Sequence, residues 1–114
     1  MVFLREEKRQ INRINLKTPF YYQVRGSCGF NNTVTENISL GGVGIINHTF
    51  ISPKTPLNLE MKILSRALSL KGKVAWAVAL AHSNTFRVGI EFIELNTRDK
   101  LYLSDYISIQ TNRI

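Results

Sequence analysis

Between Pro19 and Phe92 apolar and polar residues repeatedly change places one for one, and each run is ended by glycine, proline, asparagine or serine. A period of two belongs to an extended strand with one buried face, because successive side chains point to opposite sides of the backbone. Phe20, Tyr22 and Val24 alternate with Tyr21, Gln23 and Arg25, and Leu57, Leu59, Met61 and Ile63 with Asn58, Glu60 and Lys62. Leu68, Leu70, Val74 and Trp76 oppose Ser69, Lys71, Lys73 and Ala75, and Phe86, Val88, Ile90 and Phe92 oppose Arg87, Gly89 and Glu91. Extended segments at 33–38 and 43–47 flank a Gly41-Gly42 turn, which makes six predicted strands. Further turns are expected at 26–29, 52–56 and 82–84, and a hairpin through Ser65-Arg66. Asn96 or Thr97 then caps a helix with Asp99 in its first turn and Leu101, Tyr102, Tyr106 and Ile107 as its buried stripe. Short strands between turns, followed by one C-terminal helix, predict an all-β fold: a closed or nearly closed antiparallel β-barrel, since closure removes exposed strand edges.

The first seventeen residues have neither period and carry Arg5, Lys8, Arg9, Arg13 and Lys17. They are expected to form a flexible basic arm (1–17) leading into the barrel and helix (18–114), a single domain overall. With 114 residues and 44% hydrophobic content, one core is attainable without metal or disulfide. Fifteen basic against eight acidic residues leave a formal charge of +7, which favours an anionic partner: a phosphate ligand, nucleic acid or an acidic protein surface. Only Met1 to Leu4 precede Arg5, too short for a signal-peptide core. The longest apolar stretch, 74–81, falls far short of the roughly twenty residues that span a bilayer. Cys28 has no second cysteine to pair with. A cytoplasmic location is expected.

Two segments carry the candidate chemistry. Arg5, Arg9 and Arg13 recur every four residues, with Lys8 beside the middle one. A guanidinium forks onto a phosphate or onto the O6 and N7 edge of guanine, and its flat face stacks on a purine. The plainer reading of the arm is a solvated segment whose arginines and glutamates aid solubility. The second segment, Asn37-Ile38-Ser39-Leu40-Gly41-Gly42, puts an amide and a hydroxyl on one face of an extended stretch ahead of a flexible diglycine. Asn37 offers a donor and an acceptor, Ser39 a hydroxyl, and the glycines permit close backbone approach. Its plainer reading is a turn whose Asn and Ser bond their own backbone.

Taken together the two segments resemble the PilZ domain family, whose pattern is Arg-x-x-x-Arg followed downstream by Asp/Asn-x-Ser-x-x-Gly, here Arg9-Gln10-Ile11-Asn12-Arg13 and Asn37 to Gly42. Gly72 to Trp76 and Phe86 to Phe92 are similar to the family's late strands. The resemblance implies a six-stranded antiparallel β-barrel with a C-terminal helix, binding cyclic di-GMP between the arginine arm and the barrel. It places Arg9 and Arg13 on the phosphates and guanine Hoogsteen edges, and Asn37, Ser39 and Gly42 at a guanine. Arg5, Gly41 and Trp76 are further candidates. Lys8, before the first arginine, bears on whether one ligand or a stacked pair is bound. Arg5 to Arg9 has the same spacing, but the step from Arg13 into the following strand fits the family layout better. Asn37 stands where aspartate is commoner, which removes a charged acceptor for the guanine N1 and N2 donors. The family implies a receptor and adaptor without catalysis that acts on a flagellar, polysaccharide-synthesis or pilus component, in motility, biofilm or exopolysaccharide control.

Other signals carry less. Three Asn-x-Ser/Thr sequons, at Asn31, Asn37 and Asn47, have meaning only in a secretory context. His48 and His82 lack ligand-spaced partners, so no metal and no cofactor beyond the nucleotide is expected. Ser83 beside His82 does not make a catalytic set. Trp76 alternates with Val74 and reads first as core, with stacking on the ligand as its other role. The alternatives to the receptor are a PilZ-like adaptor that has no ligand, and a small barrel that binds single-stranded nucleic acid with Tyr21 and Tyr22 as stacking platforms.

Overall fold

The computed structural model describes residues 13–111. In chain order they form β1 (Arg13–Asn15), β2 (Pro19–Val24), β3 (Asn31–Ser39), β4 (Gly42–Asn47), β5 (Pro56–Ile63), β6 (Arg66–Ala79), β7 (Phe86–Glu94) and α1 (Thr97–Thr111). Every strand pairing is antiparallel, and the order β3-β2-β5-β6-β7-β4 closes when β4 pairs back onto β3. The result is the six-stranded barrel with a single C-terminal helix that the alternating runs predict.

β1 lies outside that ring. β2 pairs with Asn31 to Val34 of β3 and leaves the rest of that edge open, and Arg13, Ile14 and Asn15 fill it opposite Ser39, Ile38 and Asn37. Part of the expected arm is thus a strand. Three residues are too few to display a period, so the pairing left no mark in the sequence pattern. Arg5, Lys8 and Arg9 lie outside the described residues.

Apart from Trp76, the apolar face of each alternating run points inward. Phe20, Ile38, Ile45, Leu57, Leu59, Ile63, Leu68, Val74 and Val88 are all buried in one cluster, which Leu103 and Ile107 of α1 join. Burying a side chain of this size contributes roughly 1.5–3 kcal/mol, which makes the cluster the main source of stability. Two details differ from expectation. The β5–β6 hairpin turns at Leu64-Ser65, not Ser65-Arg66, because Arg66 is already paired with Ile63. The helix buries Leu103 in place of Leu101, which is 61% exposed; Tyr102 and Tyr106 are partly buried as expected. A stripe read from spacing alone is ambiguous by one residue when apolar side chains stand at both 101 and 103.

Asn96 caps α1: its Oδ1 accepts the Asp99 N–H (2.8 Å), and its Nδ2 donates to Asp99 Oδ2 (3.0 Å). The Asp99 carboxylate, only 6% exposed, also accepts Arg66 Nε (3.1 Å) and Nη2 (2.9 Å), while Tyr102 Oη donates to the Ile63 carbonyl (2.9 Å). Arg66 also lies 5.4 Å from the centre of the Tyr102 ring. These contacts fasten the helix to the β5–β6 turn. Arg66→Ala is expected to cost about 1–2 kcal/mol, because it strips a nearly buried carboxylate of its cation, a loss moderated by the partial exposure of Arg66. Thermal denaturation followed by circular dichroism would measure it as a lowered midpoint. Among the described residues no helix is long and apolar enough to cross a membrane.

Candidate functional site

Two irregularities in the barrel wall create the site. On β3, Thr35 pairs with Ile45 and Asn37 with Gly44, so Glu36 is an extra residue, a β-bulge that resets the alternation. Thr35 and Ile38 stay buried in the wall, while Glu36 and Asn37 both find partners on the outer surface. Glu36 holds Arg87 of β7 through two parallel bonds, Nε to Oε1 and Nη2 to Oε2, each 2.9 Å. That hydrogen bonding, and then the charge of Glu36, raises the Arg87 pKa above its ordinary value. Arg87 is therefore committed to Glu36 and is not an open cation.

Asn37 and Ser39 share a face, as their two-residue spacing predicts, and both turn toward Arg13. Arg13 Nη1 donates to Asn37 Oδ1, and its Nη2 lies 3.5 Å from Ser39 Oγ. The planar fork of a guanidinium makes such a double reach possible from one side chain. Ser39, 2% exposed, also accepts the Gly41 N–H (3.2 Å) and donates to the Gly42 carbonyl (3.5 Å). Its hydroxyl is engaged within the turn, so it holds Arg13 and the diglycine in place. Among the described residues Arg13 has no carboxylate partner, and its charge is available to an anion.

The second irregularity is on β6. Val74 pairs with Ile90 and Trp76 with Gly89, which leaves Ala75 as the extra residue. This bulge turns Trp76 out of the core, where strict alternation puts it, and leaves it 45% exposed. The expectation of a core tryptophan is corrected for that reason. The indole packs against Gly89, so close that a Cβ there would overlap its Cε2 and Nε1. Gly89 pairs in turn with Gly44, and Asn37 covers Gly44 from the far side, with Oδ1 2.8 Å from where a Cβ would stand. A single row across four strands therefore runs Asn37, Gly44, Gly89, Trp76. Two side-chain-free positions lie between an amide and an indole.

An open pocket of about 290 Å³ lies over this region, lined by Arg13, Gly41, Gly42, Ala75, Trp76, Gly89, Ile90 and Glu91. Ligand pockets commonly run from about 300 to 1,000 Å³, so this one lies at the small end of that range and has room to enclose only part of a large ligand. Of the residues singled out by sequence, Arg13, Gly41, Gly42 and Trp76 line it, and Asn37 and Ser39 stand behind Arg13. Gly44, Gly89 and Glu91 were not anticipated. The glycines did leave a signal, since a glycine inside an alternating strand marks a close approach.

Tyr21 and Tyr22 do not form a stacking surface. Tyr22 is buried, its Oη accepting Asn47 Nδ2 (2.9 Å), and Tyr21 alone is exposed on the opposite face of β2.

A family model described as the PilZ domain matches residues 4–108. No curated protein matches the sequence. Among solved structures, the fold is similar to that of the inhibitor of motility (MotI/DgrA) of Bacillus subtilis, with TM-score 0.79 and 20% identity over 94% of this chain and 53% of that one. It is also similar to the PilZ domain with c-di-GMP of YcgR from Escherichia coli, with TM-score 0.71 and 13% identity over 90% of each chain. The K. pneumonia MrkH–c-di-GMP complex gives TM-score 0.73 and 16% identity over 90% of this chain and 52% of that one. The chain thus spans about half the length of the Bacillus protein and of MrkH.

Proposed function

The chain belongs to the PilZ domain family, and on that premise we propose that it is a cytoplasmic receptor and adaptor for cyclic di-GMP, with no catalysis of its own. The observation that carries the reading is the arrangement of Arg13. A cation without a carboxylate partner among the described residues is held by Asn37 and Ser39 at the rim of a pocket whose opposite wall is an exposed indole. A cyclic dinucleotide offers what that arrangement takes: phosphates and a Hoogsteen edge for the guanidinium, and a purine face for the ring.

In this reading Arg9, with Arg13, grips the phosphates and the Hoogsteen edges. Asn37 and Ser39 orient Arg13, Gly41 and Gly42 admit the ligand close to the backbone, and Trp76 stacks on a guanine. Arg5 extends the basic segment, and Lys8 governs whether one ligand or a stacked pair is held. Binding neutralises the arginines and draws the N-terminal segment onto the barrel, which creates a surface for a protein partner. The partner in this reading is a flagellar, polysaccharide-synthesis or pilus component, and the similarity to a structure described as an inhibitor of motility favours the flagellar one. Slower amide exchange across residues 5–17 in the presence of cyclic di-GMP is the expected sign of the ordering step.

Calorimetric titration with cyclic di-GMP, with GTP and a short single-stranded oligonucleotide as controls, tests the reading. Saturable binding of cyclic di-GMP alone is expected, and its molar ratio distinguishes one ligand from a pair. Trp76 gives an independent readout, because it is the only tryptophan in the chain. Its fluorescence is expected to fall on titration with cyclic di-GMP and to stay constant with the oligonucleotide. Trp76→Ala is expected to weaken binding about tenfold, since stacking on an aromatic contributes about 1–3 kcal/mol per base. An unchanged affinity in that variant would remove Trp76 from the site.

A further inference from the structure

Glu91 is an unexpected wall for a pocket that takes an anion. It stands on the outer face of β7 two residues from Gly89, opposite Gly42 on β4 and Lys73 on β6. It lines the same pocket as Arg13 and Trp76 and is exposed. Among the described residues its carboxylate has neither an ion-pair nor a hydrogen-bond partner, in contrast to Glu36, Glu94 and Asp99, which are all paired. A free carboxylate beside a phosphate ligand is repulsive unless it meets donors.

Guanine supplies those donors. Its Hoogsteen edge carries two acceptors, O6 and N7, which suit a guanidinium. Its Watson–Crick edge carries the N1–H and the N2 amino group, which suit a carboxylate accepting two bonds. A pocket that presents an arginine and a glutamate on its walls, an indole for the face and glycines for the floor matches both edges of one base. Adenine would turn an unprotonated N1 toward the same carboxylate, lone pair against anion. We propose that Glu91 reads the Watson–Crick edge of the bound guanine and supplies the charged acceptor that Asn37, an amide, does not. This inference rests on the cyclic di-GMP reading above and specifies which residue enforces the choice of base.

The test is a matrix of calorimetric titrations of cyclic di-GMP, cyclic di-IMP and cyclic di-AMP against the wild-type protein, Glu91→Gln and Glu91→Ala. Glu60→Gln, an exposed position on β5 away from the pocket, controls for the change in net charge. Cyclic di-IMP differs from cyclic di-GMP only in lacking the N2 amino groups. The wild-type protein is expected to prefer cyclic di-GMP over cyclic di-IMP by about tenfold or more, the range of a charge-assisted hydrogen bond left unmade. Both Glu91 variants are expected to lose that preference, and Glu60→Gln to keep it. Discrimination retained in the Glu91 variants would overturn the role of Glu91, whether their affinities rise, fall or stay level, and would leave the receptor reading intact. No binding of cyclic di-GMP by the wild-type protein would remove the receptor reading and this inference together. Matching thermal midpoints for the four proteins establish that the comparison is between folded molecules.

Discussion

Replacing Arg13 by alanine is expected to weaken cyclic di-GMP binding by about a hundredfold or more, equivalent to about 2.8 kcal/mol. Two effects add. The guanidinium itself is lost, and bonds from a charged donor contribute about 1.5–3 kcal/mol each. The side chain also links Asn37 and Ser39, so its removal leaves Asn37 Oδ1 without its donor and the edge of β3 less ordered at the ligand. The fold has less to lose. Arg13 begins a three-residue strand whose backbone pairing with Ser39 survives truncation, so the thermal midpoint of the ligand-free protein is expected to move by only a few degrees. Arg13→Lys separates charge from shape. A lysine restores a cation but has no fork to hold Asn37 and Ser39 together, and is expected to recover only part of the affinity, leaving a deficit of about tenfold. Equal binding by wild-type protein and Arg13→Ala in calorimetry would mean that the bonds to Asn37 and Ser39 serve the fold alone.

How much of this was legible in the sequence depended on whether a residue obeyed a period. The strands were readable because Leu57 to Ile63 bury every second side chain and Phe86 to Phe92 bury or half-bury every second one, and the cap because Asn96 stands three residues ahead of Asp99. The family pattern singled out Arg13, Asn37, Ser39 and Gly42, which the fold brings into one cluster, while its other arginine, Arg9, lies outside the described residues. What escaped was set by bulges. Glu36 and Ala75 each add one residue to a strand, and every position beyond them changes face. No alternation rule reveals such an insertion, so Trp76 was assigned to the core while it stands on the surface over Gly89. Glu91 escaped for another reason. It obeys its period as an outward residue of β7, and only the folding of β4, β6 and β1 around it shows that outward here means into a pocket.

The diglycine at 41–42 is expected to divide sharply under substitution. Gly42 opens β4 opposite Glu91, and its Cα approaches the β7 backbone so closely that a Cβ would overlap the Ile90 carbonyl oxygen. The obstacle is main chain, which cannot rotate aside as a side-chain end would. To admit a methyl group β4 must withdraw from β7, where six successive residues from Gly42 to Asn47 are paired. The Gly41 carbonyl, which accepts the Phe92 N–H at 2.9 Å, would move with it. Overpacking with loss of a hydrogen bond costs about 3 kcal/mol or more, so Gly42→Ala is expected to lower the thermal midpoint by roughly 10 °C and to abolish binding at the adjoining pocket. Gly41 meets none of this. It is exposed, its φ is not positive, and a Cβ there touches nothing within 4 Å. Gly41→Ala is therefore expected to fold within about 0.5 kcal/mol of the wild type, with any loss of affinity coming from the methyl group at the pocket rim. Differential scanning calorimetry of the two variants decides the point. Equal midpoints would show that the β4–β7 seam relaxes around a methyl group, and that the two glycines are there for the ligand and not for the barrel.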